Sequence, residues 1–254
     1  MNKAATQYLW ICLLLVLPIK AVTQDVATLI REAERLEYAF READALLKYK
    51  EVLRIQPTHL AALCKASDLC SRIGHRQTDK SIKSDYFRQA KAYAESAIKI
   101  NPYSPEANFV MAVAMGRMAM LTGGKEKIQY VNDIKLYAEN TLKYDPNSFK
   151  AYHILGKWHY EVSNLNSLER TMARIMFGGL PKASLQDAIK YYEKSLSLQP
   201  GFSINYLELA KAYRRNHEKN KAIDMLTRLQ NIPNKIEDDA RIKREGQQLL
   251  NEIR

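Results

Sequence analysis

Glycine and proline are scarce in this chain, at nine and eight of 254 residues, and low-complexity stretches are absent. That argues against a β sandwich full of tight turns and against extended disorder. Cysteine is scarcer still, at three. Cys64 and Cys70 stand six apart in one expected helix, a rise of ~9 Å and a rotation of ~240°. That separation is too long and badly aimed for a disulfide, so both read as small core residues. The signatures of chemistry are missing as well. The chain has no Gly-x-Ser-x-Gly, no His-Glu-x-x-His and no Walker loop, and Gly123-Gly124-Lys125 is too short to cradle a phosphate. His153 and His159 point ~240° apart on a helix, which is no zinc face. His59, His75 and His217 read as isolated surface histidines. No acid, base and nucleophile assemble from motifs, so the chain reads as a non-enzyme with no cofactor.

Long hydrophobic runs are limited to one. Tyr8–Leu17 is an apolar block of ten, half of the roughly 20 residues a spanning helix needs. Pro18 and the small-residue stretch Ala21-Val22-Thr23-Gln24 follow, before a polar start at Asp25. Residues 1–24 therefore read as a secretory signal and residues 25–254 as the working domain. The expected location is exported: periplasmic, or membrane-associated facing the periplasm. Two unpaired thiols are unusual in such a compartment. The net charge of +11 loses two when Lys3 and Lys20 leave with the signal. The remaining excess suits acidic peptides or an anionic membrane surface. It is not concentrated in one block and meets no nucleic-acid signature, so no nucleic acid is expected.

What the chain does have is repetition. Pro57, Pro102, Pro146 and Pro200 lie 45, 44 and 54 residues apart. Four residues before each stands an aliphatic: Leu53, Ile98, Leu142 and Leu196. Eight before stands Tyr49, Ala94, Ala138 or Tyr192, and twelve before Ala45, Ala90, Ile134 or Ala188. A recurrence of that period marks stacked helical hairpins. The units resemble tetratricopeptide (TPR) repeats, with Tyr152, Leu155-Gly156 and His159-Tyr160 then Ala188, Tyr192 and Ser195 matching best. The expected fold is all-α: a TPR-like right-handed α-solenoid of about five hairpins with long inter-helix insertions and a C-terminal capping helix, Ile236–Ile253. One insertion is expected at Ser71–Asp85. Another, at Val162–Pro181, carries Leu165, Leu168, Met172, Ile175 and Met176 on one helical face. It reads either as a helix packed on the solenoid or as a lid over a cavity. Trp158 is expected to be buried between hairpins.

A narrower resemblance rests on Gly116-Arg117, Gly124-Lys125, Leu155-Gly156-Lys157-Trp158, and Phe177-Gly178 with Pro181-Lys182-Ala183-Ser184 and Ala188. In these residues the chain resembles the regulator of microtubule dynamics family from about Tyr86 to Leu250, as a bacterial-type exported relative. The resemblance implies a non-enzymatic TPR protein; animal members associate with microtubules and organelle membranes, and lipid handling has been linked to parts of the family. The chain departs from the family in carrying one proline, not a pair, after Phe-Gly. Its export-type leader would also keep it from tubulin.

In a TPR solenoid the first helices of the hairpins line the concave face. The matching positions make Arg72, Phe109, Arg117, His153, Lys157, Tyr160, Lys211 and Arg214 the groove-binding candidates, with Val113, Leu207 and Arg215 beside them. Cations among aromatics suit a carboxylate or phosphate; they would equally keep an open groove soluble. The asparagines of the carboxylate-clamp TPRs are missing, with Val110 and Val113, or Ile154 and Lys157, in their places. Two partners fit: a protein or peptide segment held in the groove, or a lipid in an apolar cavity lined by Phe109, Val113, Met115 and Met176 under the 162–181 insertion.

Overall fold

The computed structural model describes residues 17–177 and 179–254, with side chains from Asp25 onward except those of Met176 and Phe177. The expected signal block, apart from the backbone of Leu17 and the residues after it, lies outside the described residues. Twelve helices and no strand occur among them: α1 Leu17–Tyr38, α2 Glu42–Ile55, α3 Leu60–Arg76, α4 Lys80–Ile100, α5 Pro105–Ala119, α6 Gly124–Tyr144, α7 Phe149–Ser163, α8 Ser167–Phe177, α9 Leu185–Leu198, α10 Ser203–Arg215, α11 Lys219–Gln230 and α12 Asp239–Ile253. Five hairpins stack in order: α1 with α2, α3 with α4, α5 with α6, α7 with α9, and α10 with α11.

The recurring proline explains the recurring join. Its ring disfavours the helical conformation for the residue before it. Gln56, Asn101, Asp145 and Gln199 all sit there, with φ between −130° and −147° and ψ between 84° and 94°. Each still donates its N–H to the residue four back: Val52, Ala97, Thr141 or Ser195. The next helix starts three to four residues on, capped by His59, Ser104 or Ser148, whose side chains accept from Ala62, Ala107 and Ala151 N–H. One chemical rule applied four times gives the four joins the same backbone geometry.

The small residues do what their period implies. Ala45, Ala90, Ala94, Ala97, Ala138, Ala188 and Ser195 are fully buried. Ser195 Oγ donates to Phe149 O at 2.9 Å, tying α9 to the start of α7. Gly156 lies against Tyr192, where a Cβ would come within 2.7 Å of the ring. Trp158 is buried, and its Nε1–H donates to Val131 O at 2.8 Å. Cys64 and Cys70 are buried and free, and burial pushes both thiols up to about 12.

Two expectations are corrected. Ser71–Asp85 is no insertion. α3 runs on to Arg76 and α4 begins at Lys80, with only 77–79 between them. Its polar residues belong to longer helices, with Ser71 buried and Arg72 and Arg76 turned to Glu42, and Asp79 caps α4 by accepting from Ile82 N–H. The 162–181 segment does contain a helix, α8, but its apolar face is turned outward. Leu168 is 67% and Ile175 79% exposed, Met172 is exposed as well, and Ala173 is the buried contact. That face therefore lids no cavity among the described residues, while the helix itself rests on α6 and buries Ala173; Met176 falls outside the described side chains.

The capping helix is present, beginning at Asp239. Ile242, Gly246, Leu249 and Leu250 cover α10 and α11. Gly246 permits the approach, since a Cβ would meet Leu229 at 2.6 Å.

Candidate functional site

The stack curls until its ends touch. The connection before α12 reaches the first two hairpins: Arg76 on α3 pairs with Glu237 at 2.8 Å and with Asp238 at 3.2 Å, and Glu237 Oε1 accepts the Glu42 N–H at 2.9 Å. The inner face is thus bounded by α3, α5, α7 and α10 and crossed at one end by α12.

Glu42 anchors that closure. It is 1% exposed and takes Arg72 Nη1 at 2.7 Å on one oxygen and Arg76 Nη1 at 2.8 Å on the other. Burial raises its carboxyl above the ordinary range, against the pull of the two guanidinium groups. Arg72 further meets Asp68 at 3.3 Å and Glu37 at 3.4 Å. A second cluster sits between α7, α10 and α12. Buried Glu208 accepts from Lys157 at 2.6 Å and Lys211 at 3.1 Å, Lys157 reaches Glu161 at 2.9 Å, and Lys211 reaches Glu245 at 2.7 Å. Burial alone would push Glu208 up; the two ammonium groups outweigh it and hold the carboxyl below its usual range.

The other candidates fall differently. His153 Nδ1 lies 2.9 Å from Asn205 Oδ1, and Asn205 in turn donates to Tyr192 O, so His153 braces the fourth hairpin against the fifth. Phe109 is only 9% exposed and belongs to the core, with Lys150 Nζ 4.6 Å from its ring centre. Leu207 is core as well, and Val113 is half-buried. Tyr160 is half-buried, flanked by Lys157 and by Arg215, which donates to Tyr160 O and Ser163 O. Arg214 is exposed and pairs with Glu252 at 3.1 Å.

Arg117 stands apart. At the end of α5, its Nη1 lies 3.2 Å from His75 Nδ1 and its guanidinium 5.7 Å from the Phe87 ring centre. Among the described residues no carboxylate lies within ion-pair distance of it. His75, expected on the surface, is half-buried here; burial, Arg117 and Arg241 lower it to about 4, so it is neutral near pH 7 and accepts from Arg117. Glu237 and Asp238, which close the inner strip just before α12, lie outside the first-helix positions that line a TPR groove. The acid-rich run Glu237-Asp238-Asp239 was the available signal.

The family model described as Regulator of microtubule dynamics protein 1-3 matches residues 29–254, nearly the whole chain. The chain belongs to this family. Relatives include regulator of microtubule dynamics protein 3 of Rattus norvegicus, 26% identical over 89% of this chain and 49% of the relative. Protein 1 of Bos taurus is 29% identical over 68% and 55%, and protein 2 of Homo sapiens is 28% identical over 70% and 43%. The chain thus spans about half the length of these family members. Among solved structures, a thermophilic TPR protein of Thermus thermophilus superimposes with a TM-score of 0.66, at 13% identity, covering 89% of this chain and 99% of that one. The pilF protein of Pseudomonas aeruginosa does so at 0.56, with 10% identity, covering 92% and 90%. These likenesses agree with the helix order above: this family member has a TPR fold.

Proposed function

We propose that this chain is a non-enzymatic, exported scaffold that holds a segment of another protein against its concave face. One observation carries the reading. The inner face is assembled from side chains of every hairpin and is fixed in advance by cross-helix ion pairs, so a guest meets charged groups already locked in place. Preorganisation of that kind lowers the entropy cost of binding. The groups on offer are Arg117, Lys157, Tyr160, Lys211 and Arg214.

A lipid guest would need an apolar tunnel. Phe109 and Met115 are packed within the core. Two surface clefts, of about 450 and 430 Å³, both carry charged residues in their walls: Lys135 and Glu139 beside Leu136, Leu180 and Pro181 in one, and mainly charged residues such as Glu32, Arg35 and Asp44 in the other. A peptide is the better match. The relatives' names speak of microtubules; an exported chain would take a different protein partner.

A photo-reactive amino acid at Tyr160, compared with one at the outward-facing Lys190, tests this in the producing cell. One discrete protein adduct from Tyr160 alone supports the scaffold; equal labelling from both positions, or none from either, overturns it. The mass of the mature protein in the exported fraction, shortened by about 24 residues as a signal peptide requires, tests the location.

A further inference from the structure

The inner face gives most of its cations a carboxylate, and one buried guanidinium goes without. Arg72, Arg76, Lys157, Lys211, Arg214 and Arg241 each have a carboxylate of this chain within 3.3 Å. Arg117 has none among the described residues. Its Nη1 is spent on a neutral imidazole, Met120 Sδ offers only a contact at 4.0 Å, and its Nε is shut from solvent without an acceptor. The acids whose fields reach it are occupied elsewhere: Asp238 with Arg76 and Arg241, Asp68 with Arg72.

Such a cation is costly. A charge taken out of water without a counter-charge is tolerated only where something repays it. Burial lowers Arg117 to about 10, and it still carries its charge near pH 7. A second cation without an ion-pair partner among the described residues, half-buried Lys83 on α4, lies close enough to help depress His75. The uncompensated Arg117 thus sits where α3, α4 and α5 come together, against His75 of α3 and Phe87 of α4.

We propose that Arg117 is the anchor for an acidic side chain of the bound protein segment. This rests on the scaffold reading above. The ligand class follows from the donors. A carboxylate has one charge, matching the one guanidinium charge left without a counter-ion. A phosphate carries up to two charges and usually gathers more donors than one guanidinium supplies. Of the other arginines on this face, Arg72, Arg76, Arg214 and Arg241 already take a carboxylate, and Arg215 is held by Tyr160 O, Ser163 Oγ and Ser163 O. Neutral His75 serves as a positioning residue, holding one Nη of Arg117 and so aiming the rest of the fork.

The test uses a labelled, end-blocked octaglutamate peptide and the mature protein, read by fluorescence anisotropy and by the melting temperature with and without peptide. Arg117→Met keeps the length and removes the charge; Arg88→Met removes the same charge from the exposed face of α4. The proposal expects wild type and Arg88→Met to bind alike and Arg117→Met to bind at least tenfold more weakly. It also expects free Arg117→Met to melt no lower than wild type, since an uncompensated charge has gone, while losing the peptide-induced rise. Equal binding by Arg117→Met and wild type overturns the anchor but leaves the scaffold reading to the cross-linking result. Binding of inorganic phosphate or of phosphatidylglycerol vesicles, but not of octaglutamate, overturns the carboxylate assignment. An Arg117→Met protein that melts well below wild type, with its peptide response intact, makes Arg117 structural and overturns the proposal.

Discussion

Arg76 Nη1 lies 3.2 Å from Asp238 Oδ2, a contact that joins the second hairpin to the threshold of the last helix across 162 residues of chain. A solenoid of independent neighbours has no such link, because each unit touches only the next. Here Arg76 bridges the buried carboxylate of Glu42 in the first hairpin to Glu237 and Asp238 before the last helix.

Glu42→Ala is expected to lower unfolding free energy by about 3–5 kcal/mol, because it strands two part-buried arginines while leaving the apolar packing in place. Urea unfolding of mature protein checks this. A loss below about 1 kcal/mol would mean that Arg72 and Arg76 find other partners.

Gly156→Ala is expected to cost about 1–3 kcal/mol by overpacking against Tyr192, and Gly156→Leu to prevent the fourth hairpin from closing. Gly123→Ala is the control: nothing lies within 4 Å of its Cβ position and φ is −135°. Thermal melts should separate the two sites clearly.

Stability should fall as pH drops from about 6.5 towards 4. Burial lowers His75, His153 and His159, His75 to about 4. The groups facing His75 are Arg117 from α5, Lys83 from α4, and Arg241 and Asp238 from α12 and its cap. The unfolded chain takes up these protons first, so the stability due to neutral histidines is whole above the unfolded value and lost through that window. Urea midpoints at pH 7 and pH 5 test it, and His75→Asn should flatten the dependence.

Ile175→Ser on α8 should change stability by no more than about 0.5 kcal/mol, since the side chain faces solvent. A loss of 2 kcal/mol or more in urea would mean that its apolar face is covered.

Much of the architecture was legible because proline, alanine and glycine act locally. A proline disfavours helix in the residue before it wherever it stands, and alanines at fixed spacing must lie on one face. Trp158 and the two cysteines followed from the same logic. The polar stretch Ser71–Asp85 was misread because polar residues at helical spacing look like loop until their partners are known; Arg72 and Arg76 are helical residues aimed at Glu42. α8 was found by its period, but a period does not say which way an apolar face turns. The closure through Glu237 and Asp238 was out of reach because it is set by the accumulated angle of five hairpins, which no local pattern encodes. Phe109 was placed in the groove by repeat register, yet Lys150 covers it.

The meeting of the two ends is most directly tested by a double-mutant cycle on Arg76→Ala and Glu237→Ala, measured by urea unfolding. A shared contact predicts that the double variant loses less than the sum of the singles, by about 0.5–3 kcal/mol. Losses that add to within about 0.3 kcal/mol would show the ends standing apart, and the closed inner face described here would be wrong.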